Sequence, residues 1–495
     1  MSLKRLVKES FVYGLSGYLS KSISLLLLPL YTAVLTTEDY GILDLLGTIV
    51  TVSTFLIVSG TDTSVGYYYF RREHFEVRPE IIISSMYVRL VFSAAGFIII
   101  VLFSSQISQI LFGRNLSLFV IITGFTIVFQ VLHSFLFNLL RLEFRVWLYT
   151  ILSSAYVLIS ILLTIYYVLI LRQGIYGALI AQSIAYGLVF LFTIIYVFKR
   201  YGYMYSYEWV KKILSYGFPL IGTGIAVWVL NSTDRYFLAH YVNLSSVGIY
   251  AVGAKLGSII GILGGALQMA WGPYALDIQY EKNAKEIYSK VFQLYFYINI
   301  VLIFAISMFS IDILKVFTQP DFYSAKAVVP FLCASVFFTN AYFIVSIGIN
   351  ITKKVQHTIW ITVTSALVNI GLNFLLTPSF GPVGAAFCIM FANFMIFFLT
   401  YITSQKYYKI DYKYRNVLFM LIPAAVIIFA AYYMNMELML RIIISVVFLI
   451  FSLVYIYFKY RDSEEFLKIV NKIKNLKSKE EVEKARDEIA KSSGP

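Results

Sequence analysis

The sequence of 495 residues is 60% hydrophobic and only 13% charged, and its formal net charge is +14. Soluble proteins are usually about 25% charged, so the composition excludes a soluble protein and indicates an integral membrane protein. A helical span takes about 20 apolar residues, which leaves room for well over ten spans and none for a soluble catalytic domain. The spans are predicted to be helices, because barrel strands would alternate over stretches of about ten residues.

Residues that bind metals or perform covalent chemistry are sparse. Cys333 and Cys388 both lie in apolar runs, and the four histidines have no ligand spacing. The chain also lacks a phosphate-binding loop, a nucleophile elbow, a zinc-protease motif and a pair of carboxylates suited to glycosyl chemistry. We therefore expect no metal, no cofactor and no enzymatic activity.

A window of about 19 residues identifies fourteen apolar stretches. They begin near Ser10, Gly41, Ile81, Leu116, Val146, Ile175, Ile213, Val247, Val291, Ala327, Thr358, Pro382, Val417 and Leu438. With the N-terminus inside, 31 of the 40 Lys and Arg residues lie on the inner side, and five, including Arg235, lie in outer loops. Because basic residues collect in cytoplasmic loops, this asymmetry predicts fourteen transmembrane helices with both termini cytoplasmic. Anionic lipid then accounts for the net charge, and no nucleic acid is needed.

The chain contains an internal repeat. Residues 174–178 (GIYGA) resemble 381–385 (GPVGA), and residues 40–42 (YGI) resemble 247–249 (VGI), both at an offset of 207 residues. Six spans separate the partners, which predicts a parallel repeat about an axis along the membrane normal. The predicted parts are an N-lobe of helices 1–6 (1–200), a cytoplasmic linker (201–212), a C-lobe of helices 7–12 (213–405), helices 13 and 14 (406–460) and a cytoplasmic amphipathic tail (461–495).

Charged groups inside predicted spans are the first functional candidates, because an ionisable group at mid-bilayer costs upward of about 2.5 kcal/mol. Lys21 lies near the middle of the first span, where hydrogen bonding to neighbouring carbonyls is the structural alternative. Lys255 lies in the eighth span, opposite a ladder of four glycines within residues 253–265. Such a ladder favours close helix packing and leaves the Lys255 face to line a cavity. Arg89 lies about 12 Å from the inner end of the third span, where snorkelling competes with a cavity role.

Amide side chains form a second group of candidates. Asn369 and Asn373 share one stripe of the eleventh span with Ser365, and Gln268 and Asn340 are isolated amides in other spans. Hydrogen bonds between helices are the structural interpretation of these residues. In the functional interpretation, Gln268, Asn340, Asn369 and Asn373 bind sugar hydroxyls.

Embedded carboxylates are few. Asp234 lies beside Arg235 at the predicted outer end of the seventh span. A local ion pair or an interfacial cap would explain the two residues structurally. The functional alternative for Asp234 is coupling of transport to an ion.

The fourteen spans, the repeat, residues 35–41 (LTTEDYG) and residues 231–235 (NSTDR) together resemble the polysaccharide-biosynthesis flippases, in the multidrug/oligosaccharidyl-lipid/polysaccharide exporter superfamily. The resemblance implies two six-helix lobes in a V around a central cavity. It implies that alternating access moves a polyprenyl-diphosphate oligosaccharide from the inner to the outer leaflet of the cell membrane, for assembly of surface polysaccharide. Membrane lipids and the polysaccharide polymerase machinery are the further candidate partners.

The resemblance also suggests roles for individual residues. Related lipid II flippases use basic residues in cavity helices one, two and eight, and Lys21 and Lys255 match the first and last of these in helix and residue type. Arg89 is the next candidate for the diphosphate. Helices 13 and 14 would offer an apolar groove to the polyprenyl tail.

Two other functions are open. A cation-coupled multidrug antiporter shares the superfamily, but it usually has twelve helices and would need a functional carboxylate in the N-lobe. A membrane polysaccharide polymerase would need large outer loops to hold its catalytic groups, and the predicted outer loops are short. A flippase needs buried cations, since a diphosphate cannot cross about 30 Å of hydrocarbon unpaired.

Overall fold

The computed structural model describes residues 25–58, 60–354, 356–434 and 436–460. All regular secondary structure in these ranges is helical. Eleven helices in the described part of the chain are long and apolar enough to cross a membrane. These observations confirm the prediction of an all-α polytopic protein. Lys21 and the predicted tail 461–495 lie outside the described residues.

The helices are numbered here in chain order. They are α1 Leu28–Thr32, α2 Thr37–Val58, α3 Thr61–Tyr69, α4 Arg78–Leu102, α5 Ser104–Phe112, α6 Ser117–Leu142, α7 Val146–Thr164, α8 Gly174–Tyr201, α9 Tyr207–Gly217, α10 Ile221–Tyr241, α11 Leu244–Asp277, α12 Ala284–Met308, α13 Ser310–Phe317, α14 Val329–Val345, α15 Ile347–Ile351, α16 Gln356–Tyr407, α17 Tyr414–Tyr433 and α18 Leu438–Tyr460. A π-helical segment, Ile165–Ile170, extends α7. The chain divides after Arg415 into two compact units.

Residues at the repeat offset of 207 share local structure. Thr36 and Asn243 cap α2 and α11: each side-chain oxygen accepts a hydrogen bond from the backbone N–H three residues on, at 3.1 and 2.8 Å. Gly174, at the start of α8, and Gly381, inside α16, both have left-handed backbones, with φ of 58° and 54°. Glycine adopts this conformation without steric cost. Gly381 therefore breaks α16 into two helices, 356–380 and 382–407.

The glycine ladder of α11 packs against α14. A Cβ atom on Gly257 would lie 3.1 Å from the Leu332 backbone, and one on Gly261 would lie 3.5 Å from Val336 Cγ1. The two helices approach this closely because the glycines carry no side chain. The predicted packing role of the ladder is confirmed, and Lys255 is half-buried on the same helix.

The predicted linker forms an amphipathic helix. Ser206, just before α9, exchanges hydrogen bonds with the Ser84 hydroxyl: its N–H donates at 3.0 Å and its carbonyl accepts at 3.2 Å. Within α9, Trp209 is buried, and its ring meets Tyr68 of α3 edge to face at 5.4 Å. The connection between the two halves is therefore tied to α3 and α4.

Candidate functional site

The helices α2 and α11 contact each other at their first turns. A methyl group on Gly41 would overlap the carbonyl oxygen of Leu244, and one on Gly248 would overlap the carbonyl oxygen of Thr37. Both pairs are related by the repeat offset of 207, so the contact is reciprocal. Backbone contacts this close allow Cα–H···O interactions that any larger residue would prevent.

Three residues after Gly41 on α2, Asp44 forms an ion pair that joins this helix to α10. Arg235 Nε donates to Asp44 Oδ2 at 2.5 Å, and the side chains are only 17% and 14% exposed. The prediction that Arg235 lies in an outer loop is wrong, because α10 continues to Tyr241. The polar run 231–235 lowers the local hydropathy, so the span was predicted to end there. Its side chains instead form hydrogen bonds with other groups of the protein. The apolar residues that follow, Phe237 and Leu238, were the signal that the helix continues.

Further contacts continue along α2. The hydroxyls of Thr48 and Tyr236 lie 2.6 Å apart, and Trp228 Nε1 donates to the Thr48 carbonyl at 3.2 Å. We call the contacts of α2 with α10 and α11 the α2 seam. It joins the first repeat to the second by polar groups as well as by backbone packing.

Lys255 lies next to this seam. The ammonium group of half-buried Lys255 interacts electrostatically with Asp44 and Arg235. Along α11 it lies eleven residues after Leu244, which is about 16 Å. The structure therefore brings the predicted Lys255 together with the ion pair of Asp44 and Arg235, a grouping that the sequence did not indicate.

A second cluster of polar residues surrounds Asp234, which is fully buried. Its carboxylate accepts hydrogen bonds from the Tyr250 hydroxyl and from Asn373 Nδ2, both at 2.8 Å. Asn373 Oδ1 accepts from the Thr377 hydroxyl at 2.7 Å, and Asn369 Nδ2 donates to a backbone carbonyl of α10 at 3.1 Å. The structure thus unites three predicted residues, Asp234, Asn369 and Asn373, in one network of α10, α11 and α16.

Arg89 lies elsewhere, in α4. Its side chain is fully buried, and Nη2 donates to Asp62 Oδ1 at 2.6 Å and to the Thr61 hydroxyl at 2.8 Å. The guanidinium lies over the Phe135 ring at 4.9 Å. Among the described residues, its Nε and Nη1 have no hydrogen-bond partner. This burial excludes snorkelling in this conformation and leaves the diphosphate role of Arg89 a prediction.

The two remaining amides lie on facing helices. Gln268 of α11 is exposed. Asn340 of α14 is half-buried against Gly264 and donates to the Val336 carbonyl at 2.9 Å. Gln268 is therefore accessible for a ligand in this conformation, whereas the amide group of Asn340 is bonded within its own helix.

Comparisons with known proteins agree with this architecture. A family model described as "Polysaccharide biosynthesis protein" matches residues 6–279, and the MatE family model matches residues 219–375. The Lsg locus putative protein 1 of Haemophilus influenzae is 23% identical over 290 residues, which cover 56% of this chain and 68% of that protein.

Solved structures share the fold. The lipid II flippase MurJ in its inward closed conformation matches with a TM-score of 0.72 at 15% identity, over 91% of this chain and 99% of its own. An inward-facing multidrug resistance MATE family transporter matches with a TM-score of 0.65 at 14% identity, over 78% of this chain and 94% of its own.

The contact between Gly41 and Gly248 predicts a steric effect on stability. Gly41→Ala should lower the melting temperature in detergent, because overpacking typically costs about 1–3 kcal/mol. Gly47→Ala is the matched control on the same helix, since a methyl group there meets open space. That control should melt at or above the wild-type temperature, because alanine favours helix more than glycine. Equal melting of the two variants would contradict a close backbone contact.

Proposed function

The chain belongs to the polysaccharide biosynthesis protein family, and we propose that it is a flippase for a polyprenyl-diphosphate-linked oligosaccharide. It is a multi-pass membrane protein, and its fold is that of membrane transporters. The observation that carries the proposal is Lys255, a half-buried cation at the seam between the repeats. A cation inside the membrane is costly unless it is used or paired, and a diphosphate has the complementary charge. Alternating access would move the lipid from the inner to the outer leaflet.

The proposal includes fourteen transmembrane helices with cytoplasmic termini. The eleven candidate helices, the break of α16 at Gly381, the less apolar α10 and the predicted first span together are consistent with this number. The predicted lobes 1–200 and 213–405, the linker 201–212, helices 13 and 14 (406–460) and the tail 461–495 form part of the same proposal. The ends at which α2 and α11 begin would then face outward.

Cysteine labelling tests this topology. Single cysteines at Asn115 and Lys315 should react with an impermeant thiol reagent in intact cells, and those at Lys282 and Lys406 only after permeabilisation. All four residues are exposed, and the native Cys333 and Cys388 are buried. The reverse pattern would refute the orientation, and labelling of all four sites in intact cells would refute the alternation.

The diphosphate would be held by Lys255 and Lys21, with Arg89 as a further candidate. The electrostatic interactions of Lys255 with Asp44 and Arg235 at the α2 seam support this proposal. Arg89 could contribute only after its pair with Asp62 breaks, because its guanidinium is fully buried. Gln268, Asn340, Asn369 and Asn373 remain the proposed contacts for sugar hydroxyls. Asn369 and Asn373 would have to break their hydrogen bonds in the Asp234 network before they could bind sugar hydroxyls.

Removal of the Lys255 charge should weaken substrate binding. Lys255→Gln should reduce the affinity for a polyprenyl diphosphate about tenfold to a hundredfold, because a charge-assisted contact contributes about 1.5–3 kcal/mol. Lys255→Arg should retain more affinity than Lys255→Gln. Binding is measured by ligand-induced thermal shift, with Lys315→Gln as an exposed control. Wild-type affinity in a normally folded Lys255→Gln protein would rule out this role.

Asp234 is the proposed ion-coupling residue. Its carboxylate is fully buried and accepts hydrogen bonds from the Tyr250 hydroxyl and from Asn373 Nδ2, and the oxygens of Asn369, Asn373 and Thr377 belong to the same network. Carboxylate, hydroxyl and amide oxygens are the groups that hard cations prefer. Binding of a proton or a metal cation here would rearrange hydrogen bonds that join α10, α11 and α16.

Loss of the Asp234 charge should uncouple transport from the ion gradient. In proteoliposomes, Asp234→Asn should still bind a polyprenyl diphosphate, but its flipping rate should no longer respond to an imposed sodium or proton gradient. Asp321→Asn, at an exposed carboxylate, is the control and should behave as wild type. A gradient response equal to that of wild type would place coupling elsewhere.

A cation-coupled multidrug antiporter is the second candidate, because the MatE model matches residues 219–375. The same thermal-shift assay separates the two functions: a flippase is stabilised by polyprenyl diphosphate, and a drug antiporter by a cationic dye. The polymerase alternative has no support from these relatives, since the structures that share the fold are a flippase and a transporter.

A further inference from the structure

We propose that Arg235 is a second cation of the diphosphate site, and that Asp44 occupies it as an internal counter-ion until the substrate displaces the carboxylate. This inference rests on the proposed flippase function. It assigns a substrate-binding role to a residue that the sequence pattern had placed in a loop. It also gives Asp44 a defined part in the transport cycle.

The contact of Asp44 with Arg235 has the chemistry of a phosphate site. A carboxylate at 2.5 Å from Arg235 Nε is the kind of oxygen anion that a phosphoryl group would replace. The other described hydrogen bond of the guanidinium runs from Nη1 to the Asn231 carbonyl at 2.8 Å. Within the described part of the chain, Nη2 has no hydrogen-bond acceptor, so Nε and Nη2 together offer one edge for a bidentate anion once Asp44 has left. Arginine suits phosphate recognition for this reason.

The charges around Asp44 also favour a diphosphate. The Asp44 carboxylate interacts with two cations at once, Arg235 and Lys255. The neighbouring Asp234 is engaged by Tyr250 and Asn373 on the second-repeat side. Asp44 is thus the carboxylate common to both cations, and the buried Asp234 carboxylate also interacts with Arg235. A diphosphate, which carries at least two negative charges, would satisfy both cations better than one carboxylate does.

The positions of the charged residues along α2 and α11 suit a diphosphate. Asp44 lies seven residues, or about 10 Å, after the start of α2, and Lys255 lies about 16 Å after the start of α11. The two helices begin side by side. Measured along the helices from these starts, Lys255 therefore lies about 6 Å further than Asp44. Two linked phosphoryl groups can bridge this separation, with one on Arg235 and the other on Lys255.

The exchange would also couple binding to opening. Asp44 belongs to the first repeat, and Arg235 and Lys255 belong to the second. When the diphosphate takes both cations, the ion pair that joins α2 to α10 is lost. The contact between Gly41 and Gly248 lies one helical turn nearer the N-termini of α2 and α11. Loss of the ion pair would weaken the packing at this contact. The outer end would thus open only after the substrate has bound.

The test compares the two members of the ion pair in the full-length protein. Asp44→Asn removes the competitor, so it should raise the affinity for a polyprenyl diphosphate about tenfold. Arg235→Gln removes a ligand-binding cation, so it should lower that affinity at least tenfold, and Arg235→Lys should retain part of it. A purely structural ion pair predicts changes in the same direction for both partners. Glu38→Gln breaks the exposed pair with Arg114 within the first repeat and should change nothing.

A distance measurement supplies the second readout. Spin labels at Ser105→Cys and Val242→Cys, with Cys333 and Cys388 replaced by alanine, report the separation of the two repeats at this end. In wild type, polyprenyl diphosphate should lengthen the distance by several ångströms, and polyprenol should not. Asp44→Asn should lengthen it without ligand. The exchanged pair, Asp44→Arg with Arg235→Asp, should restore the short distance and also shows that the region still folds.

The outcomes separate this inference from the proposed function. If wild type binds no polyprenyl diphosphate, the flippase proposal fails and this inference fails with it. If wild type binds the lipid but Asp44→Asn and Arg235→Gln shift the affinity in the same direction, only the exchange is refuted. An unchanged distance in ligand-free Asp44→Asn would refute it as well.

Discussion

The close contact between the first turns of α2 and α11 is the constraint on which the site depends. Gly41 and Gly248 bring two backbones together at repeat-related positions, and the caps Thr36 and Asn243 fix where each helix begins. Because the helix starts are fixed and in contact, the distance of every later residue of α2 and α11 from this contact is also fixed. The contact thus sets the positions of Asp44 and Lys255 along their helices, and both residues interact there with Arg235 of α10.

Electrostatics explains why the charged residues of these helices are paired inside the protein. Unpaired charges and orphan amides are costly in hydrocarbon, so each needs a partner from another helix. Asp44 pairs with Arg235, Arg89 pairs with Asp62, and the Asp234 carboxylate is held by hydroxyl and amide donors. The first and last of these groups lie on adjacent residues of α10.

The sequence predicted the elements that depend on local pattern. The offset of 207 and the glycine ladder of α11 are properties of spacing, and the structure gives both a packing role. Hydropathy misplaced Arg235, because a polar run inside a helix resembles the end of a span when its partners are distant in sequence. The stripe of Asn369 and Asn373 could be predicted because residues four apart share one face of a helix. Its contact with Asp234, 139 residues away, depends on tertiary packing and could not be deduced.

A flippase needs substrate binding and opening to be coupled, and the energies limit how this can be done. A ligand that moves an equilibrium from 1:99 to 99:1 must favour one state by about 5.5 kcal/mol. One charge-assisted contact contributes only about 1.5–3 kcal/mol. Exchange at Arg235 replaces the contact with Asp44 and therefore adds little net free energy, and the contact with Lys255 alone stays below the requirement. An ion bound at Asp234, on the residue next to Arg235, could supply the remainder, so coupling ion and substrate would act through the same turn of α10.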